Sequence, residues 1–372
     1  MGDPPKPFLP YARQHITPED IEAVAEVLRS DWLTQGPTIA RFEEALAEIT
    51  GAKHVVACAT GTAALHLSML ALGIGPGGTV VTSPNTFLAD ANCARYVGAE
   101  VAFVDIDPET GNMNPEALVP LLEADTGRRV KAIIPVHFAG QPVNLMRIRE
   151  ITSRHGARVV DDACHALGAS YECGRGSCRI GCGEHSDMTV FSFHPVKHVA
   201  TGEGGAIATN DAALDEKLRR FRNHGMVKSD FANQEMAYAS DGRLNPWYYE
   251  MPEPGFNYRL TDIQAALGIG QLKRLDWSVR RRNEIAFWYH RLIELNIPSG
   301  RVKPLKTCAR LVHAYHLFVV QIDFEAYGIA RADVMHRLRE AGIGTQVHYI
   351  PVPLQPYYRR VASTKPGQFP GA

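Results

Sequence analysis

The segment Phe191-Ser192-Phe193-His194-Pro195-Val196-Lys197, followed by Thr201-Gly202-Glu203-Gly204-Gly205, puts a lysine just past an apolar run and beside glycines that let backbone crowd a ligand. A lysine that reacts with a carbonyl must lose its proton at least transiently, and a partly buried strand end favours that loss. Alone, a lysine after a strand is ordinary solvated surface; the flanking serine and glycine-rich turn single this one out. A second cluster is Val159-Val160-Asp161-Asp162-Ala163-Cys164-His165. Two acids at a strand end beside a histidine could hold a metal, act as acid and base, or pair with a cationic ring nitrogen. The plainer reading has Asp162 capping the next helix. In Thr60-Gly61-Thr62-Ala63-Ala64-Leu65 small residues open a helix and leave backbone N–H groups free for an anion such as phosphate. It is not a Walker loop, since no Gly-Lys-Ser/Thr follows. Cys173, Cys178, Cys182 and His185 are spaced C-x4-C-x3-C-x2-H, donors that would suit zinc. The spacing is not the paired C-x2-C of structural zinc sites, so the expectation is a cysteine-rich hairpin without metal.

These residues need a scaffold, and the hydrophobic pattern supplies one. From about residue 50, short apolar runs at 55–59, 79–82, 101–104, 132–136, 158–161, 189–193 and 206–209 alternate with helical stretches such as 62–72, 115–122, 145–155 and 212–223. Several runs are continuous in Val and Ile, as expected of strands covered on both faces. This is the rhythm of an open, mostly parallel sheet, in which ligands gather at the carboxyl ends of strands. Ahead of it, Thr17 caps a first helix, Pro18 suits its first position, and Glu19 and Asp20 favour its positive end. Residues 226–254 lack periodicity. A helix at 262–275, a long charged one at 280–295, a strand at 316–322, a helix at 331–341 and a closing strand near 344–349 then read as a smaller α+β unit. The expected division is 12–250 and 251–372.

Composition narrows the classes. With 39 basic and 40 acidic residues and no run of like charge, the chain lacks the basic surface that nucleic acid or an acidic membrane would require. The first six residues contain no apolar leader core. The stretch 55–75, free of Asp, Glu, Lys and Arg, is broken by polar and glycine residues and reads as strand, turn and buried helix rather than a membrane span. Seven cysteines, an odd number in a chain that does not need disulfides to fold, suggest a reducing, cytoplasmic setting.

In order and spacing these stretches, with Leu33-Thr34-Gln35-Gly36-Pro37, Asn85-Thr86-Phe87, Arg222-Asn223-His224-Gly225 and Gly255-Phe256-Asn257-Tyr258-Arg259-Leu260-Thr261-Asp262, resemble the DegT/StrS-type sugar aminotransferases. That family is a branch of the fold-type-I pyridoxal-phosphate enzymes. The resemblance implies an α/β fold with a mostly parallel seven-stranded sheet flanked by helices and a smaller α+β C-terminal domain. It implies that Lys197 joins pyridoxal 5'-phosphate covalently and moves the proton. Asp162 would pair with the ring nitrogen, His165 sit beside the ring oxygen, and Phe87 stack on the ring. Gly61, Thr62 and Ser192 would hold the phosphate, with Asn257 reaching in from a second subunit of a homodimer. Tyr11, Asp31, Trp32, Leu33, Thr34, His348 and Tyr349 would line a nucleotide-sugar subsite, Trp32 either stacking on a base or packing at the dimer interface. Within the family, 135–142, 186–191 and 246–251 are most similar to the branch that aminates a UDP-linked 4-keto-6-deoxy-N-acetylhexosamine for pseudaminic acid, with L-glutamate the expected donor. A dTDP- or GDP-linked acceptor, a related dehydratase with histidine in place of the lysine (Lys197 is present here, with His198 immediately after it), and a non-catalytic regulator are the alternatives. Family members continue past the equivalent of Ala372 with a further segment and a closing helix, and carry fewer cysteines between 171 and 185.

Overall fold

The structure, a computed structural model, describes residues 8–297 and 300–372; the first six residues, read for a leader, lie outside that range. Two helices, α1 (Pro18–Arg29) and α2 (Pro37–Thr50), precede the sheet. The chain then alternates through β1 (His54–Cys58), α3 (Gly61–Ala71), β2 (Thr79–Thr82), α4 (Leu88–Tyr96), β3 (Glu100–Phe103), α5 (Leu118–Ala124), β4 (Val130–Ile134), α6 (Leu145–His155) and β5 (Arg158–Asp162). A hairpin of β6 (Ser170–Glu172) and β7 (Ser177–Arg179) intervenes before β8 (Met188–Ser192), β9 (Gly205–Thr209) and α7 (Ala212–Arg222). Beyond lie α8 (Gln234–Ala237), α9 (Asp262–Leu272), α10 (Leu275–Asn296), β10 (Val302–Pro304), β11 (Leu311–Val312), β12 (Val320–Ile322), α11 (Phe324–Tyr327), α12 (Arg331–Glu340) and α13 (Pro356–Val361).

Seven strands form one sheet in the order β1-β9-β8-β5-β4-β2-β3. All neighbours are parallel except β9, which runs antiparallel to both β1 and β8. Alternation along each strand feeds two cores. Ala57, Val81, Ile133, Val159 and Phe191 pack on one face, while Val56, Val80, Ile134, Val160 and Val190 pack on the other. Each of the seven strands predicted between residues 55 and 209 appears with its ends moved by no more than two residues, which is the usual uncertainty of element boundaries.

Four expectations change. The strand expected over 316–322 shrinks to Val320–Ile322, paired only with Val302–Pro304. Residues 344–349 form no strand: Gly344 donates to the Leu9 carbonyl, and the next backbone anchor is the Tyr349 amide on Asn85 Oδ1. The long helix begins at Leu275 rather than 280, because Lys273 and Arg274 need only a short break after α9. Finally, Cys173 and Cys178 form a disulfide across the β6–β7 hairpin, against the expectation of free thiols throughout; the hairpin turn brings their Cα atoms to 5.8 Å. The hairpin itself was expected.

The start of α1 forms as its residues dictate. Thr17 accepts the Asp20 amide, and Asp20 returns the bond to the Thr17 amide at 3.0 Å. Asp20 is fully buried under α9, where Arg274 reaches it at 2.6 Å and Gln271 at 2.9 Å. Gly270 permits this approach, since a Cβ there would stand 2.4 Å from Asp20 Oδ1. Burial by itself would raise the Asp20 pKa, but the bonds from Arg274 and the Thr17 amide outweigh it and hold the carboxyl below its ordinary value. A carboxylate held this way stabilises the fold above its unfolded pKa, and the gain disappears as pH falls through the lower folded value. Asp20→Asn should therefore cost about 3 kcal/mol near neutral pH, with Arg274 still partly solvated, and progressively less in acid. Urea unfolding at both pH values checks this; an equal cost at both would contradict it.

Candidate active site

Lys197 sits on a loop whose base is closed by main-chain bonds: Phe193 donates to the Gly204 carbonyl at 2.9 Å and Thr201 donates to the Phe193 carbonyl at 2.9 Å. Buried Phe193 packs edge-on against Phe42, and buried Val199 and Ala200 fix the far limb. His198 points away from solvent and its Nε2 donates to the Ala314 carbonyl at 2.9 Å, anchoring the loop to the C-terminal region. Lys197 itself is half-buried. Burial draws its ammonium pKa below the ordinary lysine value, against the raising influence of Cys164, Asp162 and Asp90.

The two acids of β5 separate because neighbouring strand residues face opposite sides. Asp161 belongs to the scaffold: its Oδ2 lies 2.9 Å from His137 Nε2 and its Oδ1 accepts the Thr189 hydroxyl at 2.8 Å. Asp162 faces the side of Lys197 and Asp90. Its Oδ1 accepts the Cys164 amide at 2.7 Å, within a tight turn and not at the start of a helix, so the capping role considered from sequence survives only as a turn contact.

Residue His165 is buried, with Nε2 at 3.2 Å from the Tyr349 hydroxyl and Nδ1 without a hydrogen-bond partner. Burial, then the charge of Lys197 and the neighbouring histidines, hold its pKa well below the usual value, so it is neutral at physiological pH. His348 is pulled down to about 4 by burial and then by Lys197. The Tyr349 ring lies 6.1 Å from that of Phe87, which is itself exposed, and Tyr11 faces His348 at 5.8 Å. Two further buried histidines border this wall: the His316 ring is 4.4 Å from His165 and 5.8 Å from His198.

At the start of α3, Thr60 takes the Ala63 amide with its hydroxyl and the Ala64 amide with its carbonyl. The amides of Gly61 and Thr62 remain as open donors of the helix start. Glycine is required at 205, where a Cβ would meet the Thr60 carbonyl carbon and oxygen at 2.4 Å, and at Gly61 a Cβ would sit tight against Ser192 at 3.0 Å. Gly61, Thr62 and Ser192 thus share one corner beside Cys164 and the Lys197 loop.

The remaining predicted residues lie apart within the chain. Asp31, Trp32, Leu33 and Thr34 are exposed on a loop pinned by Asp262, whose two oxygens accept the Gly36 amide at 2.8 Å and the Thr38 amide at 2.9 Å. Asn257 is exposed and bridges Asn223, while the adjacent Tyr258 turns inward and its carbonyl accepts the Ala59 amide. Among the described residues no hydrogen bond, ion pair or ring contact joins Asn257 or 31–34 to Lys197, Asp162 or His165. The disulfide removes Cys173 and Cys178 as thiolate donors, and His185 Nδ1 is engaged at 2.8 Å by the Tyr171 hydroxyl. Sequence reasoning gave no role to Asp90 or His316 and none to Cys164 beyond its place in the Asp161–His165 run, and it considered His198 only as a replacement for Lys197; Asp90 left a signal, a carboxylate one turn past Phe87 in a helix of small residues.

The pieces fit a phosphorylated pyridine aldehyde: open amides for the phosphate, a buried carboxylate for a ring nitrogen, a neutral buried imidazole with a free Nδ1, and an amine with a depressed pKa. Comparison with known proteins agrees. A model of the DegT/DnrJ/EryC1/StrS aminotransferase family matches residues 14–372. The chain is 42% identical over 367 residues to the spore coat polysaccharide biosynthesis protein SpsC of Bacillus subtilis, covering 98% of this chain and 89% of that one. Among solved structures it is similar to PseC of Helicobacter pylori, an aminotransferase involved in the biosynthesis of pseudoaminic acid, with a TM-score of 0.84, 32% identity, and coverage of 98% and 90%. It is also similar to the sugar aminotransferase Spr1654 of Streptococcus pneumoniae in its PLP form, with a TM-score of 0.82, 27% identity, and coverage of 98% and 90%.

Proposed function

Because the chain belongs to the DegT/DnrJ/EryC1/StrS aminotransferase family, whose members use pyridoxal phosphate, we propose that it transfers an amino group from L-glutamate to C4 of a UDP-linked 4-keto-6-deoxy-N-acetylhexosamine. The observation that carries the chemistry is the convergence of Lys197, Asp162 and His165 on one buried wall next to the open amides of α3. The finer substrate assignment draws on the likeness to PseC and on the sequence stretches 135–142, 186–191 and 246–251.

Bound pyridoxal phosphate supplies an electron sink for the charge left when a proton leaves the amine-bearing carbon. Every other function falls to the protein. Lys197, its pKa lowered by burial, holds the cofactor and accepts and returns that proton. Asp162, buried, would pair with the ring nitrogen and keep it protonated. Gly61 and Thr62 donate amides to the phosphate and Ser192 its hydroxyl. Phe87 covers the ring, and the neutral His165, aligned by the Tyr349 hydroxyl, sits beside the ring oxygen. Tyr11, His348 and Tyr349 line the sugar side, and the exposed segment Asp31–Thr34 lies open to the nucleotide.

The exposure of Asn257, turned away from its own chain's core, supports its service to a neighbour's phosphate site in a homodimer. The free thiols of Cys58, Cys93, Cys164, Cys182 and Cys308 support a cytoplasmic enzyme, with the Cys173–Cys178 bond as the exception; among the described residues no helix is long and apolar enough to cross a membrane. The anchoring of His198 on the Ala314 carbonyl removes it as a stand-in for Lys197, which disfavours the dehydratase reading.

Two experiments test these assignments. Half-reactions with UDP-, dTDP- and GDP-linked 4-amino sugars, followed by cofactor absorbance, should convert the chromophore fastest with the UDP-N-acetyl compound; preference for dTDP or GDP would move the acceptor elsewhere in the family. Mixing inactive Lys197→Ala chains with Asn257→Asp chains, whose added charge repels phosphate, should restore up to about half of wild-type activity per heterodimer, since one of its two sites is intact. Heterodimers demonstrated by tagged co-purification but no more active than their parents would end the shared-site proposal.

A further inference from the structure

Asp90 has no place in the account above, yet it is among the most buried charged side chains of the molecule. It lies in the first turn of α4 among buried Ala89, Ala91, Cys93 and Ala94 and is fully excluded from solvent. Its Oδ2 accepts the Thr86 hydroxyl, and its Oδ1 has no hydrogen-bond donor from the protein. Across from it, within hydrogen-bonding reach, is the carboxyl of Asp162.

Two carboxylates in contact and out of water repel each other with no solvent to screen them, and the single cation that faces them, Lys197, can offset one charge but not two. Lys197 faces the pair, with Cys93 from the same helix, Cys164 beyond β5, and Tyr349 from the C-terminal region. Burial leads in raising the pKa of both thiols and of the phenol, so they add no cation and no competing charge. One proton must therefore stay with the pair. The environment decides which acid keeps it. Asp162 Oδ1 receives the Cys164 amide at 2.7 Å, whereas Asp90 Oδ1 receives nothing. Burial, and next the neighbouring Asp162, push the Asp90 pKa well above the ordinary carboxylate value.

We propose that Asp90 is a positioning residue of the cofactor site: it keeps its proton and donates a hydrogen bond through it to Asp162, holding that carboxyl aimed at the ring nitrogen. This rests on the reading of Asp162 as the ring-nitrogen partner. It explains why an acid is tolerated in a helix of alanines, and why Thr86 is spent on Asp90. It also fixes a sign. A carboxyl whose folded pKa is raised costs stability as pH rises from its unfolded value toward its folded one, so removing the charge site cannot destabilise the neutral-pH fold on electrostatic grounds.

The test uses full-length protein with and without cofactor. Infrared spectra of the cofactor-free wild type should contain a buried carboxylic-acid carbonyl band that Asp90→Asn lacks. Asparagine keeps a donor for Asp162, so that variant should bind pyridoxal phosphate within about threefold of wild type. Asp90→Leu removes the donor, and its dissociation constant should rise about tenfold or more at unchanged circular dichroism, the scale of one charge-assisted hydrogen bond. Identical infrared spectra for wild type and Asp90→Asn, or wild-type cofactor affinity in Asp90→Leu, would overturn the proposal. If the leucine variant does not fold, the infrared comparison still decides. A band that is present while the cofactor attaches elsewhere than Lys197 would refute the active-site reading and leave the protonation of Asp90 standing; an absent band with the cofactor on Lys197 would do the reverse.

Discussion

Charge held out of water is the constraint on which the molecule turns. Lys197, Asp162 and Asp90 come together at the carboxyl edge of the central strands, in a place where each would be costly alone. Their balance depends on backbone details. β5 must end so that Asp161 faces His137 and Thr189 while Asp162 faces Lys197. The loop after β8 must close on Phe193 and Gly204, and the start of α3 must press against β8 and β9 closely enough that only glycine fits at 205 and little more at 61. A one-residue slip in β5 would exchange the two aspartates and leave an unpaired carboxylate in a hydrophobic core.

Burial also explains why so much of the scaffold was legible. Strands covered on both faces read as unbroken Val and Ile runs, and all seven were placed. The residues proposed for the site at strand and helix ends, Lys197, Asp162, Ser192 and Gly61, were placed by the same pattern, because the elements announced the edge at which they lie. The antiparallel run of β9 follows from a connection that contains no crossover helix between Phe193 and Gly204, a feature that strand propensity does not report.

What escaped detection is held by contacts between distant segments. The 344–349 stretch looks like a strand but pairs with none; its shape comes from Leu9, Asn85 and the rings of Phe87 and His165. His316 reads as unremarkable until folding sets its ring 4.4 Å from His165 and 5.8 Å from His198. Asp90 could be noticed as an acid among alanines, but its partner lies on a different element, and a pairing of two like charges is one that no periodicity suggests. The Cys173–Cys178 bond was missed because composition argues about a compartment, whereas a hairpin turn decides whether two particular sulfurs meet.

Reductive trapping addresses the centre of this account most directly. Protein purified with pyridoxal phosphate should be yellow, and borohydride should bleach it while fixing the cofactor covalently to one lysine. Peptide mapping is predicted to find the adduct on Lys197, the amine whose pKa burial depresses beside Asp162. An adduct on any other lysine would contradict the assignment and, with it, the roles given to Asp162, His165 and the α3 amides.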